Sequence, residues 1–222
     1  MERRFILASG SPRRREILDA LGFEYEIITT NAEENVDTQG MTPEQTVREL
    51  ADAKGRAVAQ SFTENRGCDI IIISADTVVV SEGKILGKPK DRQDAKQMLM
   101  KLSGGKHSVL TGLCLWQLNP DYGSKGCTVC AKTDVYFKEL SEEMIEAYLD
   151  TGEYTDKAGG YGIQEMGALL VDKIDGDYFN VVGFPVNLFY ELIRKECNID
   201  VYQCRVTDSR GKRRFFGAEK SN

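Results

Sequence analysis

Long apolar stretches are missing from this sequence. No run approaches the ~18 residues that a membrane-spanning helix needs, and the apolar segment Phe5–Ala8 is too short for a secretory leader. Nothing in the residues directs the chain out of the cytoplasm, and a cytoplasmic location is the expectation. Histidine occurs once, as His107. That leaves imidazole-based metal sites without ligands and a Ser-His-Asp arrangement with one residue to use, and no GxSxG elbow accompanies it. The six cysteines include one CxxC pair, Cys127 and Cys130, with no second pair at zinc-ribbon spacing. On an extended segment those two thiols point to opposite faces, so free, reduced thiols are expected. Two phosphate-binding fingerprints also fail. Met100 stands where a Walker A loop ending at Gly105-Lys106 needs its first glycine, and Glu165 stands where a third glycine should follow Gly160 and Gly162. An excess of positive charge is absent as well: the net charge is −6, which disfavours general nucleic-acid binding.

What is present suits a globular enzyme. The chain has 222 residues, 41% hydrophobic and 29% charged, enough for one large domain or two small lobes about a cleft. Phe5–Ala8 reads as a buried strand, Ser11-Pro12 as a helix start with Ser11 at the cap, and Gly22 as that helix's stop. A second strand around Tyr25 to Ile28 makes the opening β-α-β. Thr42-Pro43-Glu44-Gln45 is a capping box whose helix runs to about Ser61. Four consecutive isoleucines, Ile70 to Ile73, followed by Val78, Val79 and Val80, predict a central strand buried on both faces. Glu82-Gly83 marks a turn, and Asp91 and Ser141 cap further helices. Strands are expected over Val109–Leu118, Thr128–Phe137 and Ala168–Ile174, with Phe184-Pro185 opening a last helix. The class is α/β with a mixed, twisted sheet flanked by helices. Residues 1–197 form the expected domain and 198–222 a basic extension, read as a solvated end.

Three places carry chemistry. Ser9-Gly10-Ser11-Pro12-Arg13-Arg14-Arg15 ends a strand in small hydroxyl residues and then starts a helix with three arginines in its first turn. Cations there oppose the helix dipole unless an anion sits at the terminus between them. Lys54 falls within the apolar stripe of its helix, where an unpaired ammonium is costly to bury. Asp76 interrupts the apolar run of the central strand, so its carboxylate needs a metal, a cation or an open sheet end. Lys88 follows on a loop constrained by Pro89, and Glu33-Glu34 offers a second carboxylate source. Arg13, Lys54 and Lys88 together suit a ligand with several phosphate charges. Glu33 and Asp76 suit Mg²⁺ or Mn²⁺, with Asp76 as candidate general base.

Four segments resemble the Maf family of nucleotide pyrophosphatases: Leu7 to Arg14, Ser74 to Val79 with Gly87-Lys88-Pro89, Ala158 to Gln164, and Asn180 to Pro185. The resemblance covers residues 3 to about 196 and implies two lobes around a central cleft (Maf/ITPase-like), a homodimer, and cleavage of nucleoside triphosphates between the α- and β-phosphates. Residue by residue it implies Asp76 as proton acceptor with Lys54 and Lys88 beside it. It implies Ser9, Arg13 and Arg14 on the substrate, and Glu33 with Asp76 on a divalent metal. Arg13, Thr77 and Gln164 match positions of the branch that hydrolyses dTTP and UTP, where modified pyrimidine nucleotides are also expected substrates in nucleotide-pool housekeeping. A 7-methyl-GTP pyrophosphatase and a non-catalytic nucleotide-binding regulator of cell division are the rival readings.

Overall fold

A computed structural model describes residues 3–62, 68–119 and 123–202, and the backbone of 205–207 and 213–215. The opening β-α-β is as expected: β1 (Arg3–Leu7) leads into α1 (Pro12–Leu21), and β2 (Glu26–Ile27) pairs parallel with β1. Ser11 holds the cap position of α1 in an extended conformation, but its hydroxyl makes no capping bond. The Ser11 N–H itself donates to Ser9 Oγ at 3.3 Å. At the other end Gly22 takes φ 81°, a left-handed turn that glycine adopts without a Cβ clash. α2 (Pro43–Ser61) opens on the reciprocal box read from sequence, the Thr42 hydroxyl accepting from the Gln45 N–H and the Gln45 amide oxygen from the Thr42 N–H.

β3 (Asp69–Ser81) is the axis of the sheet. It pairs parallel with β1, antiparallel with β5 (Lys106–Asn119), and near its end with β4 (Lys84–Leu86). β6 (Gly123–Phe137) and β7 (Val171–Asp175) extend it to seven strands in the order β2-β1-β3-β5-β6-β7, with β4 on β3. The mixed sheet agrees with the sequence reading. So does the double burial: Ile71 and Ile73 pack with Leu18 of α1 and with Phe189 and Ile193 of α6 (Val186–Cys197), while Ile70 and Ile72 pack with Val58 and Ala59 of α2. A third cluster brings Ala95 and Leu99 of α3 (Arg92–Leu102) against Ile145 and Leu149 of α4 (Glu142–Asp150), over Val135 and Phe137.

Several boundaries differ from those read in the sequence. The strand expected over Ala168–Ile174 begins only at Val171, because Glu165–Leu170 winds as a 3-10 turn. A short helix, α5 (Tyr178–Val182), capped by Asp177, precedes the last helix, which opens at Pro185 as read, with Pro185 at its cap. Cys127 packs with the cluster around α6 and Cys130 with Val47 and Leu110, so the CxxC thiols do face apart, and both are free. Past the boundary placed at 197, Ile199 and Val201 are still buried with Phe23 and Phe189. β8 (Arg205–Thr207) and β9 (Arg213–Phe215) pair antiparallel; the rest of the basic extension, Arg210 and Lys212 included, lies outside the described residues. Among the described residues no helix is long and apolar enough to cross a membrane.

Candidate active site

The site begins with how closely α2 lies on the sheet. Gly112 of β5 stands opposite Asp76 in the strand register, and a Cβ on it would run into the Val47 carbonyl oxygen of α2. From the helix side, a Cβ on Gly55 would meet the Ser74 hydroxyl and the Trp116 ring, each at 2.7 Å. The Ser74 hydroxyl also donates to the Ala51 carbonyl at 2.7 Å. Contact that tight allows a lysine on α2 to reach a carboxylate on β3.

It does so directly. Lys54 Nζ donates to Asp76 Oδ1 at 2.6 Å and lies 3.1 Å from Glu33 Oε1, with the lysine side chain only 11% exposed. Asp76 and Glu33 come from separate parts of the chain, β3 and the 3-10 turn Ala32–Asn35, and share one ammonium. The lysine in the apolar stripe is therefore paired rather than extended to solvent. The second Glu33 oxygen, Oε2, is buried without a hydrogen-bond partner among the described residues. A buried acceptor left unanswered is expensive.

On the facing wall the β1–α1 turn presents Ser9, Arg13 and Arg14. The Arg14 guanidinium lies inside that wall: it donates to the Gly183 carbonyl, to Ser9 Oγ and to Thr77 Oγ1, at 2.9, 3.0 and 3.2 Å. Burial pushes its pKa down, opposed by the nearby charge of Asp76. Expected as a ligand contact, Arg14 thus spends three of its N–H groups tying the first, second and fourth motifs together. Thr77 shares its hydroxyl with Thr111 at 3.0 Å, and Thr111 reaches the Asn180 carbonyl at 3.2 Å. For both contacts to be hydrogen bonds, Thr111 donates to the carbonyl and Thr77 donates to Thr111. Thr77 then offers the cleft an acceptor only.

All nine residues singled out from sequence, Ser9, Arg13, Arg14, Glu33, Lys54, Asp76, Thr77, Lys88 and Gln164, line this one cleft of about 520 Å³. Lys88 is exposed at its rim, and neither Lys88 nor the Gln164 amide has a side-chain partner among the described residues. Sequence reading missed Asp156 and Lys157, which also line it; the Asp156 carboxylate pairs with both Arg13 and Lys157. A charged pair just before the Ala158 block was the available signal. It looked like ordinary loop polarity. Tyr161, which lines the cleft and bonds to His107 at 2.7 Å, was read only as part of that block. Five cations and three carboxylates make the cleft locally positive on a chain of net charge −6.

A mixed α/β sheet with a cationic cleft at the carboxyl end of β1 and at the middle of β3 defines a class of protein that handles phosphate-bearing small molecules. Residues 4–196 match the family model for Maf-like proteins, and the chain belongs to that family. It is 43% identical over 196 residues to the dTTP/UTP pyrophosphatase of Thermoanaerobacter pseudethanolicus, covering 88% of this chain and 98% of that one. To the dTTP/UTP pyrophosphatase of Clostridioides difficile it is 45% identical over 197 residues, 89% and 97% of the two chains. For that of Bacillus velezensis the figures are 46% over 186 residues, 84% and 93%. Among solved structures, the Staphylococcus aureus Ham1 protein aligns with 67% of this chain and 99% of its own at 14% identity and a TM-score of 0.33, too distant a likeness to carry an argument.

Proposed function

We propose that this chain hydrolyses dTTP and UTP to the monophosphate and pyrophosphate. The observation that carries the reading is the Lys54 ammonium held between Asp76 and Glu33 in a cleft otherwise rich in cations. The names of the relatives supply the substrate. Arg13 and Lys88, at the cleft wall and rim, take up phosphate charge, and the Ser9 hydroxyl and the α1 N-terminus add donors beside them.

Lys54 fixes the Asp76 carboxylate through Oδ1. The other oxygen, Oδ2, has no partner among the described residues and is placed to accept a proton from water as that water attacks the phosphoanhydride. The P–O bond between the α- and β-phosphates breaks, and the charge left on pyrophosphate falls on Lys88 and Arg13. The unpartnered Glu33 Oε2 fits a divalent cation, which Glu33 and Asp76 would hold. Bound there, Mg²⁺ or Mn²⁺ supplies charge to the phosphoryl oxygens and makes water more acidic. Gln164 carries the base preference. A free amide donates to O4 and accepts from N3–H of uracil or thymine, while cytosine reverses both and leaves the amide unpaired.

The test is hydrolysis of dTTP, UTP, CTP, GTP and 7-methyl-GTP with Mg²⁺ or Mn²⁺, separating pyrophosphate from phosphate release. The expected result is pyrophosphate from dTTP and UTP, abolished by EDTA. Pyrophosphate from 7-methyl-GTP instead would keep the machinery and overturn the base preference. Nucleotide bound but never cleaved would make the protein a regulator.

A further inference from the structure

Asp156 ends the 3-10 turn Glu153–Asp156, and its carboxylate lies between two cations. Arg13 Nη1 donates to Asp156 Oδ2 at 2.9 Å from the α1 side of the cleft, and Lys157 Nζ donates to Asp156 Oδ1 at 2.8 Å from the other. The three side chains differ in exposure: Arg13 26%, Lys157 17%, Asp156 51%. The carboxylate is thus the most exposed member of the cluster.

Lys157 does not depend on Asp156 for its position. Its stem crosses Gly162, where a Cβ would stand 2.6 Å from the lysine Cε, and its ammonium also donates to the Glu153 carbonyl. An ammonium held by a second partner and a guanidinium, both donating to one half-exposed carboxylate, form an anion site filled by an internal anion. Burial opposes ionisation of Asp156, but bonds from Lys157 and Arg13 outweigh it and hold the carboxyl below its usual range.

We propose that Arg13 and Lys157 form a phosphate subsite of the cleft, for which the Asp156 carboxylate and a phosphate group compete. Lys157 is then a substrate-binding residue. Asp156 acts as a built-in competitor that weakens the hold on product pyrophosphate and speeds its departure. The identity of the anion rests on the nucleotide reading above; the test does not.

The test is titration calorimetry of the full chain with inorganic pyrophosphate and Mg²⁺, with thermal melts to confirm that each variant is folded. Removing a charge-assisted bond in Lys157→Gln should weaken binding about tenfold or more, and Lys157→Arg should recover most of it. Asp156→Asn keeps the shape, removes the competing charge and should tighten binding severalfold. Opposite signs from two neighbours in one ion-pair cluster are not what a purely structural role produces. Unchanged affinity in Lys157→Gln, weaker or unchanged binding in Asp156→Asn, or no binding by the unaltered chain would overturn the proposal. Pyrophosphate binding with the expected shifts in a protein that cleaves no nucleotide would support the subsite and overturn only the activity.

Discussion

A carboxylate in the middle of an apolar strand persists only where something answers its charge. At Asp76 the answer is one short bond from Lys54, and Lys54 is answered a second time by Glu33. The ammonium orients one oxygen of Asp76 and leaves the other open, as a positioned base requires. Asp76→Asn is nearly isosteric and leaves Lys54 its contact with Glu33, but an amide cannot take a proton from water. Nucleotide affinity should stay within severalfold while turnover falls by about 10² to 10⁴. Calorimetric binding and pyrophosphate release, measured on the same preparation, separate the two. Equal loss of both would make Asp76 chiefly a metal-holding or structural group.

The contact between Lys54 and Asp76 is set by the elements beneath it. α2 rests on β3 and β5 with no side chain between backbone and sheet at Gly112, and Asp76 is the residue paired with Gly112 across the strands. Gly112→Ala would drive a methyl group into the Val47 carbonyl, and the backbone cannot yield as a flexible side chain would. We expect a loss of about 1–3 kcal/mol, read as a lower denaturant midpoint, and a fall in turnover well beyond the unfolded fraction because α2 carries Lys54 away from Asp76. Full turnover in a folded Gly112→Ala protein would mean that the spacing is not critical. This is also where legibility in the sequence ends. Caps at Thr42, Asp91 and Ser141, the Glu82-Gly83 turn and the isoleucine run are local signals, readable because each depends on a few adjacent residues. The nine cleft residues were legible because charges in apolar settings and four motifs marked them. The role of Gly112 depends on a helix more than fifty residues away, the Arg14 tie to Thr77 spans 63 residues and its tie to Gly183 spans 169. Nothing local announces those, and the 3-10 turn over Glu165–Leu170 likewise overrides an apolar pattern that reads as strand.

At the scale of the whole molecule, the single histidine gives folding stability a pH dependence that can be isolated. His107 is 2% exposed, bonded through Nε2 to the Tyr161 hydroxyl and packed edge-on against Phe137 and Tyr161, with Nδ1 unpartnered among the described residues. Burial pushes its pKa down from 6.5 to about 4, only partly offset by Asp134. Above the unfolded value both states hold neutral imidazole, and stability is complete. As pH falls below it the unfolded chain takes up a proton that the native state refuses until about pH 4, so stability drops across that window. The loss should reach about 2 kcal/mol by pH 5 and about 3 kcal/mol near pH 4. Carboxylates held below their usual range, Asp134, Glu146, Asp156 and Glu196, lose their contributions only at lower pH, since they start from 3.8 or 4.5. Between pH 6.5 and 5 the slope therefore belongs to His107. Urea midpoints across that interval should fall for the unaltered protein and stay level for His107→Gln, which cannot titrate there. His107→Gln also loses ring packing, so its stability is lower throughout, and the slope rather than the height is the quantity to compare. An unaltered protein with a flat profile from pH 7 to 5 would mean that the imidazole between Phe137 and Tyr161 accepts its proton while folded.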